Sequence, residues 1–352
     1  MSLLSSLLLA PPQSAVAAEA QETLVPLHRE DFDALLALAN ANHVVIRGME
    51  VIQAFFQAAG DERAEWASAA IAAEQARIAA ALRPLDEICR AFVARGLDVT
   101  VMKSLDHWPD LGSDLDLYTN ATPQAVCALM TEQFGAKIAP RSWGDRLACK
   151  WNFEIPGLAE SVEVHVGRLG QTGEQMVLAS RLPSRARSVE MGGYAFPVPS
   201  ASDRLMISTL QRMYRHFYFR LCDIVDSAWL VGSGLLDFSD LRASAQSAGI
   251  WEGVATYLVI VSDYVRQYRG RDLGLPHFVK DAARFGGNLV YFNRDFLRVP
   301  IMPQSASLYR TQLSGLLRKG ELYSSARLGL LPWLATAAAV GQKLTGSDKG
   351  IW

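Results

Sequence analysis

The stretch VMKSLDHWPDLGSDLDLYTN, residues 101–120, places two aspartates one residue apart, interleaved with leucine, directly after the pair Gly112-Ser113. Side chains alternate between faces along a strand, so Asp114 and Asp116 share one face while Leu115 and Leu117 turn into a core. The run LDLYT therefore reads as a half-buried strand. Two carboxylates side by side on a sheet face repel each other, and the usual resolution is a bound divalent cation. An all-oxygen donor set favours magnesium, which takes one or two carboxylates plus substrate phosphates.

The neighbouring segments supply what such a site needs. Upstream, Gly96 ends a helix, and Val99, Val101 and Met102 read as a short buried strand that stops at Lys103-Ser104. The chain there enters a short helix. Backbone N–H groups at that turn, with a hydroxyl and an ammonium beside them, suit a triphosphate. Ten residues from Ser104 to Asp114 leave room for a turn before the chain returns as the adjacent strand. Downstream, Thr122-Pro123 caps and opens a helix running through Val126, Leu129 and Met130 to Gly135. WNFEI and SVEVHV alternate as strands. In the second, Glu163 and His165 share a face opposite Val162, Val164 and Val166, so Glu163 is a third carboxylate for a two-metal site.

The rest of the chain is helical in pattern. Apolar residues recur at helical spacing over 27–58 and in the Ala-rich run from Glu62 to Arg95, and again from about Ser202 to the end, with breaks near Gly232, Gly270–Pro276 and Pro300–Pro303. The expected fold is α+β, a small mixed sheet between helical segments. The divisions are an unstructured tail (1–26), an N-terminal helical segment (27–96), the α+β core (97–198), a helical domain (199–300) and a C-terminal helical extension (301–352).

Composition bounds the function. The 352 residues carry 34 Lys and Arg against 36 Asp and Glu, a formal charge of -2, so no global basic field favours nucleic acid. A nucleic-acid acceptor stays open through a local basic patch. The four cysteines are widely spaced and form no ligand pair, which fits a reducing, cytoplasmic setting. The N-terminal apolar run lacks the basic start of a secretory signal. The late run Leu328–Val340 contains Pro332 and falls short of the ~20 residues needed to span a bilayer. It reads as a docked or interfacial helix, and the basic and apolar mixture of 316–344 suggests membrane-surface contact there.

The order of these elements resembles the nucleotidyltransferase fold of the DNA polymerase β superfamily, whose signature is a small-residue turn followed by an Asp-x-Asp strand. VMKSLDHWPDLGSDLDLYT, VEVHVGRL and RHFYFRLCDIVDSAWLV, in that order, are closest to a family of uncharacterised nucleotidyltransferases. The likeness covers roughly residues 30–235, and the combination is far more specific than any one motif. It implies two Mg²⁺ held by Asp114, Asp116 and Glu163, an NTP such as ATP as co-substrate, and Lys103, Ser104, Gly112 and Ser113 around the nucleotide. It implies attack of an acceptor hydroxyl on the α-phosphate, with Glu163 or His165 taking the proton and pyrophosphate leaving toward Lys103 and Ser104. The segment 202–235, with His216, Arg220 and Asp226, is expected over the sheet beside an unknown acceptor. His216 itself lies in an aromatic stripe that reads as packed core, and Arg220 and Asp226 read as ties between helices. Two departures, Ser104 in place of the family's glycine and no arginine just before the acidic pair, motivate an alternative: a catalytically degenerate nucleotide- or partner-binding module.

Overall fold

Five helices precede the first strand: α1 (Ser2–Leu9), α2 (Ala15–Leu24), α3 (Arg29–Ala41), α4 (Val45–Ala58) and α5 (Ala64–Ala94). The computed structural model describes residues 1–170, 174–293 and 295–345. The first 26 residues are not the unstructured tail expected from sequence. Leu4 and Leu24 are fully buried, and the Ser5 hydroxyl meets the Tyr264 hydroxyl at 2.7 Å, so α1 is docked on a distant helix.

The central unit runs β1 (Thr100–Val101), a 3-10 turn (Ser104–His107), β2 (Asp114–Thr119), α6 (Pro123–Phe134), β3 (Lys137–Ile138), α7 (Trp143–Leu147), β4 (Lys150–Glu154) and β5 (Ser161–Val166). These strands form one mixed sheet in the order β1-β2-β5-β4-β3. Only β2 and β5 pair in parallel, with Asp116 opposite Glu163 and Tyr118 opposite His165. The Thr122 hydroxyl accepts from Ala125 N–H, and Gly135 closes α6 at a φ of 59° that an L side chain rarely adopts. The fold is α+β, a small mixed sheet among helices.

After α8 (Glu174–Ala179) and α9 (Leu182–Arg185), the strands β6 (Arg187–Met191) and β7 (Tyr194–Val198) make a hairpin. Its turn, Gly192-Gly193, has φ of 56° and 83°, the positive pair that a tight two-residue hairpin loop requires. The chain continues as α10 (Ala201–Gln211), a π-type turn (Arg212–His216), β8 (Tyr218–Phe219), α11 (Leu221–Gly232), α12 (Phe238–Ser247), α13 (Trp251–Arg269) and α14 (His277–Ala282). It ends with β9 (Tyr291–Asn293), β10 (Phe296–Arg298), α15 (Ala306–Arg318) and α16 (Leu322–Thr345). The segment expected to be helical apart from three breaks thus contains a second sheet, β8-β10-β9, fastened by stacking of Tyr218 on Phe296 at 4.6 Å between centroids.

Two apolar cores organise the molecule. One joins α1–α4 to α10–α13, and the other fills the space behind the mixed sheet with Leu115, Leu117, Val162 and Val164. Helix α5 belongs to both, contributing Ala67 and Ile71 to the first and Leu85, Ile88 and Phe92 to the second. That shared helix leaves the opposite sheet face to carry the polar residues of the strands. Among the described residues no helix is long and apolar enough to cross a membrane. The side chains of the 316–344 segment beyond Trp333 lie outside the described residues.

Candidate active site

Strand β1 is only two residues long, and a serine hydroxyl takes over where its backbone leaves the ladder. Met102 N–H still donates to the Asp116 carbonyl at 2.9 Å. Beyond it, the Ser104 hydroxyl donates to the Asp114 carbonyl at 2.8 Å and accepts from Asp116 N–H at 2.7 Å. Ser104 is 1 % exposed, so its side chain faces the β2 backbone, which it holds in register. The residue between, Lys103, has a φ of 63°, a conformation that non-glycine residues seldom hold without a local reason. Gly112 is buried, Ser113 is exposed, and Gly112 N–H closes the loop on the Ser104 carbonyl at 3.3 Å.

The face of the sheet beyond this turn gathers the charged groups. Lys103 forms ion pairs with Asp116 and, at 3.3 Å, with Glu163. His165 Nε2 lies 2.7 Å from Glu163 Oε1 and 3.7 Å from Asp116 Oδ1. One ligand atom from each of Asp116, Glu163 and His165 falls within 4.8 Å of the others, an arrangement that could hold a metal ion. Asp114 stands two residues before Asp116 on the same face, at the exposed start of β2.

The chain belongs to the family of uncharacterised nucleotidyltransferases. That family's model matches residues 28–266, from α3 through most of α13, and so includes the whole sheet and its acidic face. No curated protein matches the chain.

The charges on this face are unevenly balanced. Although Asp114 as a residue is exposed, partial desolvation of its carboxyl, then the charges of Asp116 and Glu163, raises it above the usual aspartate range, against the pull of Lys103 and Lys150. Burial pushes Glu163 the same way, but Lys103, then His165 and Lys150, hold it well below the usual glutamate range. Three carboxylates thus face two ammonium groups, and the negative excess is felt at Asp114. A carboxylate held that acidic is a weak proton acceptor, so Glu163 suits a ligand or an orienting role better than that of a base.

Sequence reasoning missed Lys150. Its Nζ lies 2.7 Å from Glu163 Oε2 and 2.9 Å from Asp145 Oδ1, and Lys150 pairs directly across from His165. The alternation KWNFE carried the signal, because Trp151 and Phe153 on one face put Lys150 and Asn152 on the other. It also missed Asp110, in the loop just before the acidic pair. Asp110 accepts from Ile46 N–H at 2.7 Å and from Arg47 Nε at 2.8 Å, so the loop before the acidic strand is pinned to α4.

Of the three residues expected on the overlying helices, Asp226 ties elements together. It accepts from Arg47 at 2.6 Å and pairs with His107 Nδ1 at 2.6 Å, joining α11 to α4 and to the 3-10 turn. Arg220 precedes α11, where its N–H donates to Asp223 at 2.7 Å. His216 is partly buried, and burial, then Arg215, Arg212 and Lys103, depresses its pKa to about 2, which keeps the ring neutral. None of the three lines the cavity beside the acidic face. That cavity instead takes Ile207, Leu210, Gln211, Tyr214 and Arg215 from α10 and the turn after it.

Proposed function

We propose that this protein transfers a nucleoside monophosphate from an NTP to a hydroxyl-bearing acceptor, with divalent metal held by Asp114, Asp116 and Glu163. One observation carries the reading: in a chain of this family, Asp116 and Glu163 stand opposite each other on parallel strands, with Asp114 on the same face and its carboxyl raised by partial desolvation and by their charge. The donors fit a hard cation, because oxygens of Asp116 and Glu163 lie within 4.8 Å of each other and a negative excess is left over after both lysines are counted. A bound magnesium would neutralise charge developing on the α-phosphate and on departing pyrophosphate. Lys103, at a turn that directs its ammonium to the same face, supplies positive charge for the β- and γ-phosphates. Ser104 holds the acidic strand, and His165, oriented by Glu163, stands where an acceptor hydroxyl would lose its proton.

A second reading has one observation of its own. Lys103 forms ion pairs with both Asp116 and Glu163, occupying the space between them as a binding module without catalysis would need. Thermal melting of the purified chain with each NTP, with and without Mg²⁺, separates the two when run beside Asp114→Asn/Asp116→Asn. A ligand at a hundred times its Kd stabilises by about 2.7 kcal/mol. The transferase reading expects a Mg²⁺-dependent shift with at least one NTP, lost in the double variant, and pyrophosphate release with a suitable acceptor. A shift that ignores both Mg²⁺ and the variant would refute it and favour the binding module.

A further inference from the structure

A cavity of about 560 Å³ opens beside the acidic face, within the range of sites that enclose small molecules. Lys103 and His165 stand in its wall. Met102, Ile207 and Leu210 line the side nearer the sheet, and Ala306 of α15 with Leu328 and Leu331 of α16 line the opposite side. At its rim, Ile301 and Met302 remain 58 % and 73 % exposed. The lining is thus mainly aliphatic and aromatic, with the charged groups gathered where the cavity meets the site.

Three observations say what belongs there. His165 is 1 % exposed, and its Nδ1 has no hydrogen-bond partner among the described residues. Nε2 lies 2.7 Å from Glu163 Oε1 and 3.4 Å from Lys103 Nζ, so Nδ1 is the ring nitrogen left for a ligand. An unpartnered buried nitrogen is costly unless a ligand completes it. Second, the side formed by Ile301, Met302, α15 and α16 lies outside residues 28–266, the part matched by the family. A nucleotide is common to nucleotidyltransferases, whereas an acceptor is particular to each, so a wall beyond the matched region suits the acceptor. Third, among the described lining residues Lys103 and Arg215 supply the lysine and arginine charge, too little for the open basic groove that tracks a nucleic-acid backbone.

We propose that this cavity binds the acceptor, and that the acceptor is a small, largely apolar molecule whose hydroxyl is presented at His165. This rests on the transferase reading above. In the step it implies, the acceptor oxygen bonds to the α-phosphorus and the bond from that phosphorus to the bridging oxygen breaks. Pyrophosphate leaves with that oxygen, and the hydroxyl proton is released to water. The exposed Ile301 and Met302 form the entrance for the apolar body of the acceptor.

The test uses the full chain and N-phenyl-1-naphthylamine, a neutral apolar probe whose fluorescence rises on burial. One probe per chain is expected to bind, with MgATP and the other Mg-NTPs leaving it in place. Ala306→Trp, which fills the cavity from α15, should weaken the probe at least tenfold while the Mg²⁺-dependent NTP melting shift persists. Ile301→Glu, a change at an exposed position that the fold tolerates, should weaken it several-fold. Absence of probe binding, or equal binding in both variants, overturns the proposal, and displacement of the probe by Mg-NTP overturns it by giving the cavity to the nucleotide. Probe binding with no NTP shift in the wild type also overturns the acceptor assignment, but through failure of the transferase reading, since the cavity itself still binds.

Discussion

Replacing Ser104 with alanine should destabilise the protein, although the sequence pattern places this residue at a phosphate-binding turn. The hydroxyl is 1 % exposed and makes two bonds to β2, at 2.8 Å to the Asp114 carbonyl and 2.7 Å from Asp116 N–H. Each polar group left buried without a partner costs about 1–3 kcal/mol. Asp114 and Ser113 are exposed, so water reaches part of the gap and the sum falls toward the lower end, about 2–3 kcal/mol. Equilibrium urea unfolding reads this as a midpoint lowered by about 1 M or slightly less, at a slope of about 3 kcal/mol/M that the variant leaves unchanged. Ser113→Ala, one residue before the acidic strand and exposed, is the control and should stay within about 0.5 kcal/mol of wild type. A Ser104→Ala variant as stable as wild type, deficient only in nucleotide affinity, would refute the role assigned to the hydroxyl: it would face a ligand and not the β2 backbone.

Lys150→Met removes an ammonium paired with both Glu163 and Asp145 and should cost about 2–4 kcal/mol near neutral pH. Glu163 and Asp145 both titrate below their usual ranges in the folded protein. The stabilisation is therefore complete above their unfolded values near pH ~4 and is lost as pH falls through the folded ones, so the gap to wild type should narrow in acid. A gap that widens on acidification would contradict this assignment. Asp226→Asn should lower the pKa of His107, where burial pushes down but Cys222 and Asp226 prevail and hold the ring well above the usual histidine value. The stabilisation from a protonated His107 is present below pH ~6.5 and fades as pH rises through the folded pKa, and histidine NMR titration would show the drop or its absence. Leu4→Ala, in a helix fully buried at that position, should cost about 2–5 kcal/mol by denaturant melting, whereas a residue in a loose tail would cost nothing measurable.

The local grammar around residues 97–166 was legible because each signal there is short-range. Gly96 does end a helix, Thr122-Pro123 and Gly135 do bracket α6, and SVEVHV spans β5 residue for residue. Alternation alone placed Asp114 with Asp116 and Glu163 with His165, since a strand's two faces follow from parity. The hairpin and second sheet of the later chain were less visible. Strands β8, β9 and β10 are two or three residues long, too short for a period to emerge, and they exist because Tyr218 finds Phe296 across a long gap in sequence. The apolar run in the first 26 residues likewise has partners, on α4 and α13, that local sequence does not reveal.

What the sequence by itself determined is the chemistry present on each strand face: three carboxylates, a histidine and a lysine at a turn, in an order that matched a family. Only the tertiary structure decided how those groups meet. The parallel pairing of β2 with β5 brings Asp116 opposite Glu163 from a distant part of the chain, and the antiparallel return of β4 delivers Lys150 to both Glu163 and Asp145. It also turned Ser104 inward and closed a cavity with helices from the far end of the chain. Parity along a strand is a property of covalent geometry and can be read from spacing, whereas the choice of neighbouring strand and of the helix above it follows from burying two cores at once.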